Sequence, residues 1–365
     1  MTIYDDDIND EPRFQPPPRN AKVKTAMPKA QARIRTTELS SPLDGWHDLV
    51  IGQAQFASAV EPAIKRHLAG LGDPNRPVGV WLLAGPTGTG KTKSVETLAE
   101  VLHGSARNLI RLDCGEFQME HEIAKLIGAP PGYLGHRETQ PLLTTMKLNA
   151  TISSTSPISI LLLDELEKAS DSFHRLLLGI MDSGRLRLGD NTTVDFTKTL
   201  ICATTNLAAD KIQRASAPAL GFAGVTRLRD GGARPAIASL AVRAAKNSFA
   251  PEFVNRLDGI IAFHALSRDD AKHIARIELT KALARPTWMI TCDDLDQLVE
   301  LVVEDGFSVE YGAREIKRSV ERLVMGPLAD YTWRLDKQEL CVRVRVNDGA
   351  VEIAHTHGKV ASAKG

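Results

Sequence analysis

The stretch Gly85-Pro-Thr-Gly-Thr-Gly-Lys-Thr92 restricts the fold more than any other segment of the chain. Its closely spaced glycines let the backbone curl until successive N–H groups face one point, and a following helix adds its N-terminal amides there. Such a loop needs a buried strand before it and a helix after it. The apolar run Val78–Ala84 and the helical stretch Thr92–Leu102 supply both. Gly85, Pro86, Thr87, Gly88, Thr89 and Gly90 are therefore expected to cradle a polyphosphate. In that pattern Lys91 reaches the β- and γ-phosphates and Thr92 ligates Mg²⁺.

A second element completes this reading. Ile160-Leu-Leu-Leu163 has the character of a buried strand, and Asp164-Glu165 falls at its end. Asp164 is expected to hold Mg²⁺, mostly through water, and Glu165 to polarise an attacking water. Thr204-Thr205-Asn206 ends a further apolar run, which would set the Asn206 amide beside a γ-phosphate. Together these residues point to a nucleoside triphosphate hydrolase.

Around them the chain alternates strand and helix from about residue 43 to 264. Val78–Ala84, Leu109–Asp113, Ile158–Asp164, Thr199–Thr204 and Gly259–Phe263 read as buried strands. Asp171–Ser183 places Phe173, Leu176, Leu177, Ile180 and Met181 on one helical face. This alternation implies an α/β, doubly wound parallel sheet, here taken as residues 41–264. A smaller, mainly helical domain is expected over 265–355. Its signals are a Ser267/Asp270 helix start, Leu295/Leu298/Val299/Val302, Ile316/Val320/Leu323, and a hairpin turning at Asp348-Gly349. Residues 1–40, acidic and then basic and proline-rich, read as a disordered tail, and 356–365 as a frayed end.

Composition excludes several classes. Lys+Arg and Asp+Glu both number 45, so no bulk field draws the chain to nucleic acid or an anionic membrane. Aromatics are 5%, too few for a base-stacking platform. No apolar run approaches the ~20 residues of a membrane span, and the acidic start does not resemble a signal peptide. The four scattered cysteines suggest reduced, mostly buried thiols and a cytoplasmic setting.

Taken in order, these motifs resemble the AAA+ ATPases, and within them the Clp unfoldases, above all the second ATPase domain of ClpA and ClpB. Val50-Ile-Gly-Gln53, Asp73-Pro-Asn-Arg-Pro77, Leu126–Gly135, Leu163–Lys168, Pro251–Leu257 and Tyr311–Arg314 all carry the likeness. It implies a five-stranded P-loop domain followed by a helical lid. It also implies that Val50 and Ile51 contact adenine. Arg256 would be an arginine finger reaching the neighbouring subunit's ATP, and Arg314 a sensor in the lid. A finger acting in trans implies a ring, expected to be a homo-hexamer. Gly132-Tyr133-Leu134-Gly135 resembles the loop with which such rings grip a polypeptide client, and 185–196 resembles a second pore loop. Leu220-Gly221-Phe222 resembles the tripeptide that docks unfoldases on a ClpP-like protease; an adaptor is a further expected partner. Thr151–Pro157 and Lys211–Lys246 look long for the family.

The function implied is an ATP-dependent protein unfoldase or remodelling chaperone, using ATP and Mg²⁺. Two alternatives stay open at this stage: an AAA+ ATPase acting on nucleic acid, such as a helicase or loader, and a slow nucleotide-switched scaffold.

Overall fold

The structure, a computed structural model, describes residues 43, 45–128, 141–207, 209, 233–284, 288–308, 312–333, 340–347 and 349–355. Its strands, in chain order, are β1 (Gly79–Ala84), β2 (Ile110–Asp113), β3 (Ser159–Asp164), β4 (Arg185–Arg187), β5 (Thr193–Asp195), β6 (Thr199–Thr205), β7 (Gly259–Ala262), β8 (Trp288–Cys292), β9 (Leu340–Asn347) and β10 (Ala350–His355).

The main sheet has the order β2-β3-β6-β1-β7, with every neighbouring pair parallel. Every residue of β1, β3 and β6 is buried. That explains their near-continuous apolar runs, since a parallel sheet is covered on both faces. Alternate residues serve opposite layers. Leu82, Leu161, Leu163 and Ile201 meet Phe173, Leu177, Ile180 and Met181 of the helix Asp171–Ser183. Trp81, Leu83, Leu162 and Cys202 meet the helices Ala54–Leu68 and Lys91–His103.

Residues 151–157 have a local use. Ser153 Oγ and Thr155 Oγ1 donate to the Leu102 carbonyl at 3.2 and 2.7 Å, satisfying the C-terminal end of Lys91–His103. Stretch 185–196 forms a hairpin, β4 against β5, turning through Asn191 at φ 70°.

A separate apolar cluster, drawn from residues 271–353, joins the helices Arg268–Leu283, Leu295–Gly306 and Arg314–Val320 to Val342 and Val344 of β9. Ser267 and Asp270 cap the first of these helices reciprocally. The β9–β10 hairpin forms as expected, with Gly349 at φ 76°. The structure adds a third strand, β8, parallel to β9. Its partner lies about fifty residues away in sequence, so no local turn signal announces it. Among the described residues, no helix is long and apolar enough to cross a membrane. The helix Lys91–His103 begins one residue earlier than expected, with Gly90 in the left-handed region before it.

The acting ends of β1, β3 and β6 all lie at one edge of the main sheet, where open α/β sheets bind ligands. Leu162 sits fully buried in the layer beneath that edge. Leu162→Ala is expected to cost about 2–5 kcal/mol of unfolding free energy, measured by urea titration.

Candidate functional site

The loop after β1 is shaped by what cannot fit beside it. A side chain on Gly85 would stand 2.6 Å from the Phe263 carbonyl. Gly88 and Gly90 hold φ 75° and 93°, angles that side-chain-bearing residues rarely adopt. Thr89 Oγ1 closes the turn by donating to the Pro86 carbonyl at 2.9 Å. The curl ends where Lys91 starts the following helix.

Lys91 is buried, and its ammonium folds back over the loop. It donates to the carbonyls of Gly85 (2.6 Å) and Pro86 (2.8 Å) and to Asn206 Oδ1 (2.9 Å). Burial pushes its pKa down to about 8, against the opposing pull of Glu167, Asp164 and Glu165. Thr92 Oγ1 donates to Asp164 Oδ1 at 3.0 Å, bringing the two expected metal ligands together. A hydroxyl and a carboxylate are hard oxygen donors, which suit Mg²⁺ with water completing its shell.

Asp164 and Glu165 diverge at the strand end. Asp164 stays buried and also accepts from Thr204 Oγ1 at 3.0 Å. Glu165 turns out of the strand in the left-handed region, φ 56° and ψ 51°. For a residue other than glycine that costs about 1–2 kcal/mol. Such an outlier marks a place where the side-chain direction matters more than backbone comfort. The Glu165 N–H donates to Thr204 Oγ1 at 3.1 Å, which fixes the turn. Its carboxylate meets Lys168 Nζ at 2.5 Å and the Asn206 amide at 3.4 Å.

These groups open into a cavity of about 1030 Å³, at the large end for a small-molecule site. Leu49, Val50, Ile51, Leu266, Ile274 and Ile277 supply apolar lining. Arg314 and Lys317, at the start of the helix Arg314–Val320, also line the cavity, as do the loop residues Thr87–Gly90. Arg256 is not among the lining residues. It ends the helix Pro251–Arg256 and pairs with Asp182 at 2.6 Å. Gly132–Gly135 and Leu220–Phe222 lie outside the described residues.

Several residues with no role legible in the sequence are brought in by the structure. Arg111 on β2 reaches Asp164 Oδ2 at 2.6 Å, because β2 and β3 run in parallel register with Arg111 opposite Leu162. A single arginine in a strand carries no signal of its own. Glu167 accepts the Asn206 N–H at 2.9 Å and so anchors the end of β6. Only its spacing, two residues after Glu165, hinted at it. Cys114 and Cys202 are free and buried, as expected, and burial raises both thiols well above their ordinary range.

Comparison with known proteins gives the family. The profile of the AAA domain (Cdc48 subfamily) matches residues 76–260, about half of the chain. That of the C-terminal, D2-small domain of ClpB protein matches 266–343. The chain is similar to the chaperone protein ClpB of Vibrio vulnificus, 38% identical over 284 residues, covering 78% of this chain and 31% of that protein. It is 35% identical over 302 residues to the ATP-dependent Clp protease ATP-binding subunit ClpC of Staphylococcus aureus, covering 82% and 36%. A closed-state cryo-EM reconstruction of Hsp104 with ATPγS and FITC casein superposes with a TM-score of 0.72 at 26% identity, covering 86% of this chain and 51% of that one. The chain thus spans about a third of the length of the curated relatives it matches.

The depressed Lys91 pKa gives a signed expectation. An anion at the loop favours the protonated amine, so binding takes up a proton once the free site begins to lose it. Affinity for ADP should hold below about pH 8 and then fall, approaching tenfold per pH unit above it. Isothermal titration in buffers of different ionisation enthalpy checks this, with net proton uptake appearing above pH 8.

Proposed function

The chain belongs to the AAA domain family, Cdc48 subfamily, and carries a ClpB-type D2-small domain; on that premise we propose that it is the ATP-hydrolysing motor of a cytoplasmic ring that remodels polypeptides. One observation carries the hydrolytic role. Lys91, Thr92, Asp164, Glu165 and Asn206 come from three strand ends and meet around one loop through direct hydrogen bonds. The large domain would run over 41–264 and the lid over 265–355, hinged at their junction.

In this reading Gly85–Gly90 bind the phosphates through backbone N–H groups, and Val50 and Ile51 take the adenine. Lys91 supplies charge to the β- and γ-phosphates. Thr92 and Asp164 would hold Mg²⁺, which neutralises phosphate charge when bound. Glu165 accepts a proton from the attacking water, and Asn206 orients that water while holding Lys91. Arg314 reads the nucleotide from the lid. The Arg256 guanidinium is half-exposed and stands outside its own cavity, which favours action on a neighbour's ATP in a hexameric homo-oligomer. Gly132-Tyr133-Leu134-Gly135 then supplies the grip on an extended client. The similar Hsp104 reconstruction is one with FITC casein, and that supports a polypeptide as the client class.

A second partner is favoured by a separate observation. The similar ClpC is named as the ATP-binding subunit of a protease, and this chain carries Leu220-Gly221-Phe222. We take the tripeptide as its docking segment for a ClpP-like ring. Co-sedimentation should show binding by the wild type and none by Leu220→Ser/Phe222→Ser.

The central test separates base, finger and grip. Glu165→Gln should keep ATP binding and lose about 10²–10⁴ in turnover. Arg256→Ala should bind ATP and lose about 10³–10⁵. Mixed together, the two variants should regain some of the activity, because base and finger then come from different chains. Tyr133→Ala should keep ATPase activity and lose unfolding of a fluorescent client. Near-wild-type hydrolysis in Glu165→Gln sinks the catalytic assignment. A mixture that never recovers activity, from chains that stay monomeric with ATP, sinks the ring.

A further inference from the structure

A phosphate loop that aims its N–H groups inward must aim its carbonyls outward. The peptide is planar and trans, so whatever holds a carbonyl also sets the direction of the N–H on the same peptide. The Gly88 carbonyl shares a peptide with the Thr89 N–H, and the Thr89 carbonyl with the Gly90 N–H. Both carbonyls are held from outside the loop. Ala313 N–H, just before the helix Arg314–Val320, donates to Gly88 O at 3.2 Å. Gln53 Nε2 donates to Thr89 O at 3.1 Å.

Gln53 is almost fully buried, and its carboxamide is used to capacity. The same Nε2 donates to the His264 carbonyl at 2.9 Å, while Oε1 accepts the His264 N–H at 3.2 Å and Gln55 Nε2 at 2.7 Å. Two donors and two acceptor lone pairs are all an amide side chain has. His264 follows Phe263 at the exit from the main sheet, where the chain leaves for the small domain. A single side chain therefore clamps the loop to the junction. Close contacts extend the clamp on both sides. Gly312, at φ 60°, sits where a side chain would come within 2.6 Å of the Gly88 carbonyl. Gly52, at φ 71°, would bring one within 2.9 Å of Leu266 and Asp270 in the small domain.

We propose that Gln53 is a positioning residue that couples the shape of the phosphate loop to the seating of the small domain, so that both follow a single equilibrium. Tilting the small domain breaks Ala313–Gly88, shifts His264, and through Gln53 releases the Thr89 carbonyl. Two loop N–H groups then lose their aim and phosphate binding weakens. By reciprocity, phosphate held on those N–H groups seats the small domain. This rests on the reading of Gly85–Thr92 as the ATP cradle.

The test uses the full chain, ADP as probe, and hydrogen exchange at single amides. In the wild type, saturating ADP should slow exchange of the Ala313 N–H. Gln53→Met keeps the size and removes both donors and the acceptor. It should weaken ADP binding about tenfold, the combined effect of two ordinary hydrogen bonds. It should also lose most of the ADP-induced protection at Ala313, with the amides of Leu161 and Leu162 exchanging as in the wild type. Gly312→Ala, made on the small domain, should weaken ADP binding similarly, and the double variant should cost less than the product of the two. Unchanged ADP affinity in Gln53→Met overturns the proposal. So does weakened affinity with Ala313 protection intact, or core amides speeding up as much as Ala313, which is plain destabilisation. If Gln53→Met does not fold, unchanged ADP affinity in Gly312→Ala overturns it equally. A folded wild type that binds no ADP instead removes the nucleotide reading on which the proposal stands.

Discussion

A buried ammonium governs this structure. Lys91 lies inside the protein with no carboxylate in hydrogen-bond contact among the described residues. Its charge is solvated by two loop carbonyls and one amide oxygen. Burying a charge is costly unless polar groups surround it. The loop must therefore bend its Gly85 and Pro86 carbonyls toward Lys91 while turning later N–H groups the other way. Only a glycine-rich segment between a rigid strand and a rigid helix meets both demands. Glu167, Asp164 and Glu165 act through space to keep the amine charged near neutral pH. Their placement in turn requires β3 and β6 at a fixed register.

The parallel sheet provides that register. β1, β3 and β6 are buried along their whole length, so none can slip without exposing apolar surface. Their ends deliver the loop, the acidic pair and Asn206 to one edge. Thr204 links them further, since its hydroxyl touches both the Asp164 carboxylate and the Glu165 N–H. The left-handed turn at Glu165 is tolerated because that hydrogen bond and the Lys168 contact hold it. The outer half of the cavity is built differently. It is shared with the small domain, so its shape depends on the clamp at Gln53 and on the close approach of Gly312 to Gly88.

Much of this was legible in the chain. Buried strands announce themselves as apolar runs, and the five strands of the main sheet lie where those runs fall. The helix Asp171–Ser183 follows its apolar period from end to end. The loop and the acidic pair were readable because their chemistry demands fixed residue types at fixed spacing. β8 was not readable, since its pairing is with a remote strand and its sequence has no turn before its partner. Arg111 and Gln53 were equally silent as actors. Each is an ordinary polar residue whose meaning comes from what lies across from it.

The sequence by itself determined which groups are gathered: a glycine-rich loop with its lysine, an Asp-Glu pair and an asparagine amide, each beside the end of a buried element. Those properties are local, because glycine freedom, apolar runs and side-chain type are written residue by residue. The tertiary structure alone decided how these elements are tied. It set Arg111 on Asp164, Glu167 under Asn206, and a glutamine between the loop and the junction. It also held Arg256 away from its own cavity, against Asp182. These are contacts between segments tens to hundreds of residues apart, and the physical reason they escape the sequence is that a hydrogen bond records distance in space, which the order of residues does not contain.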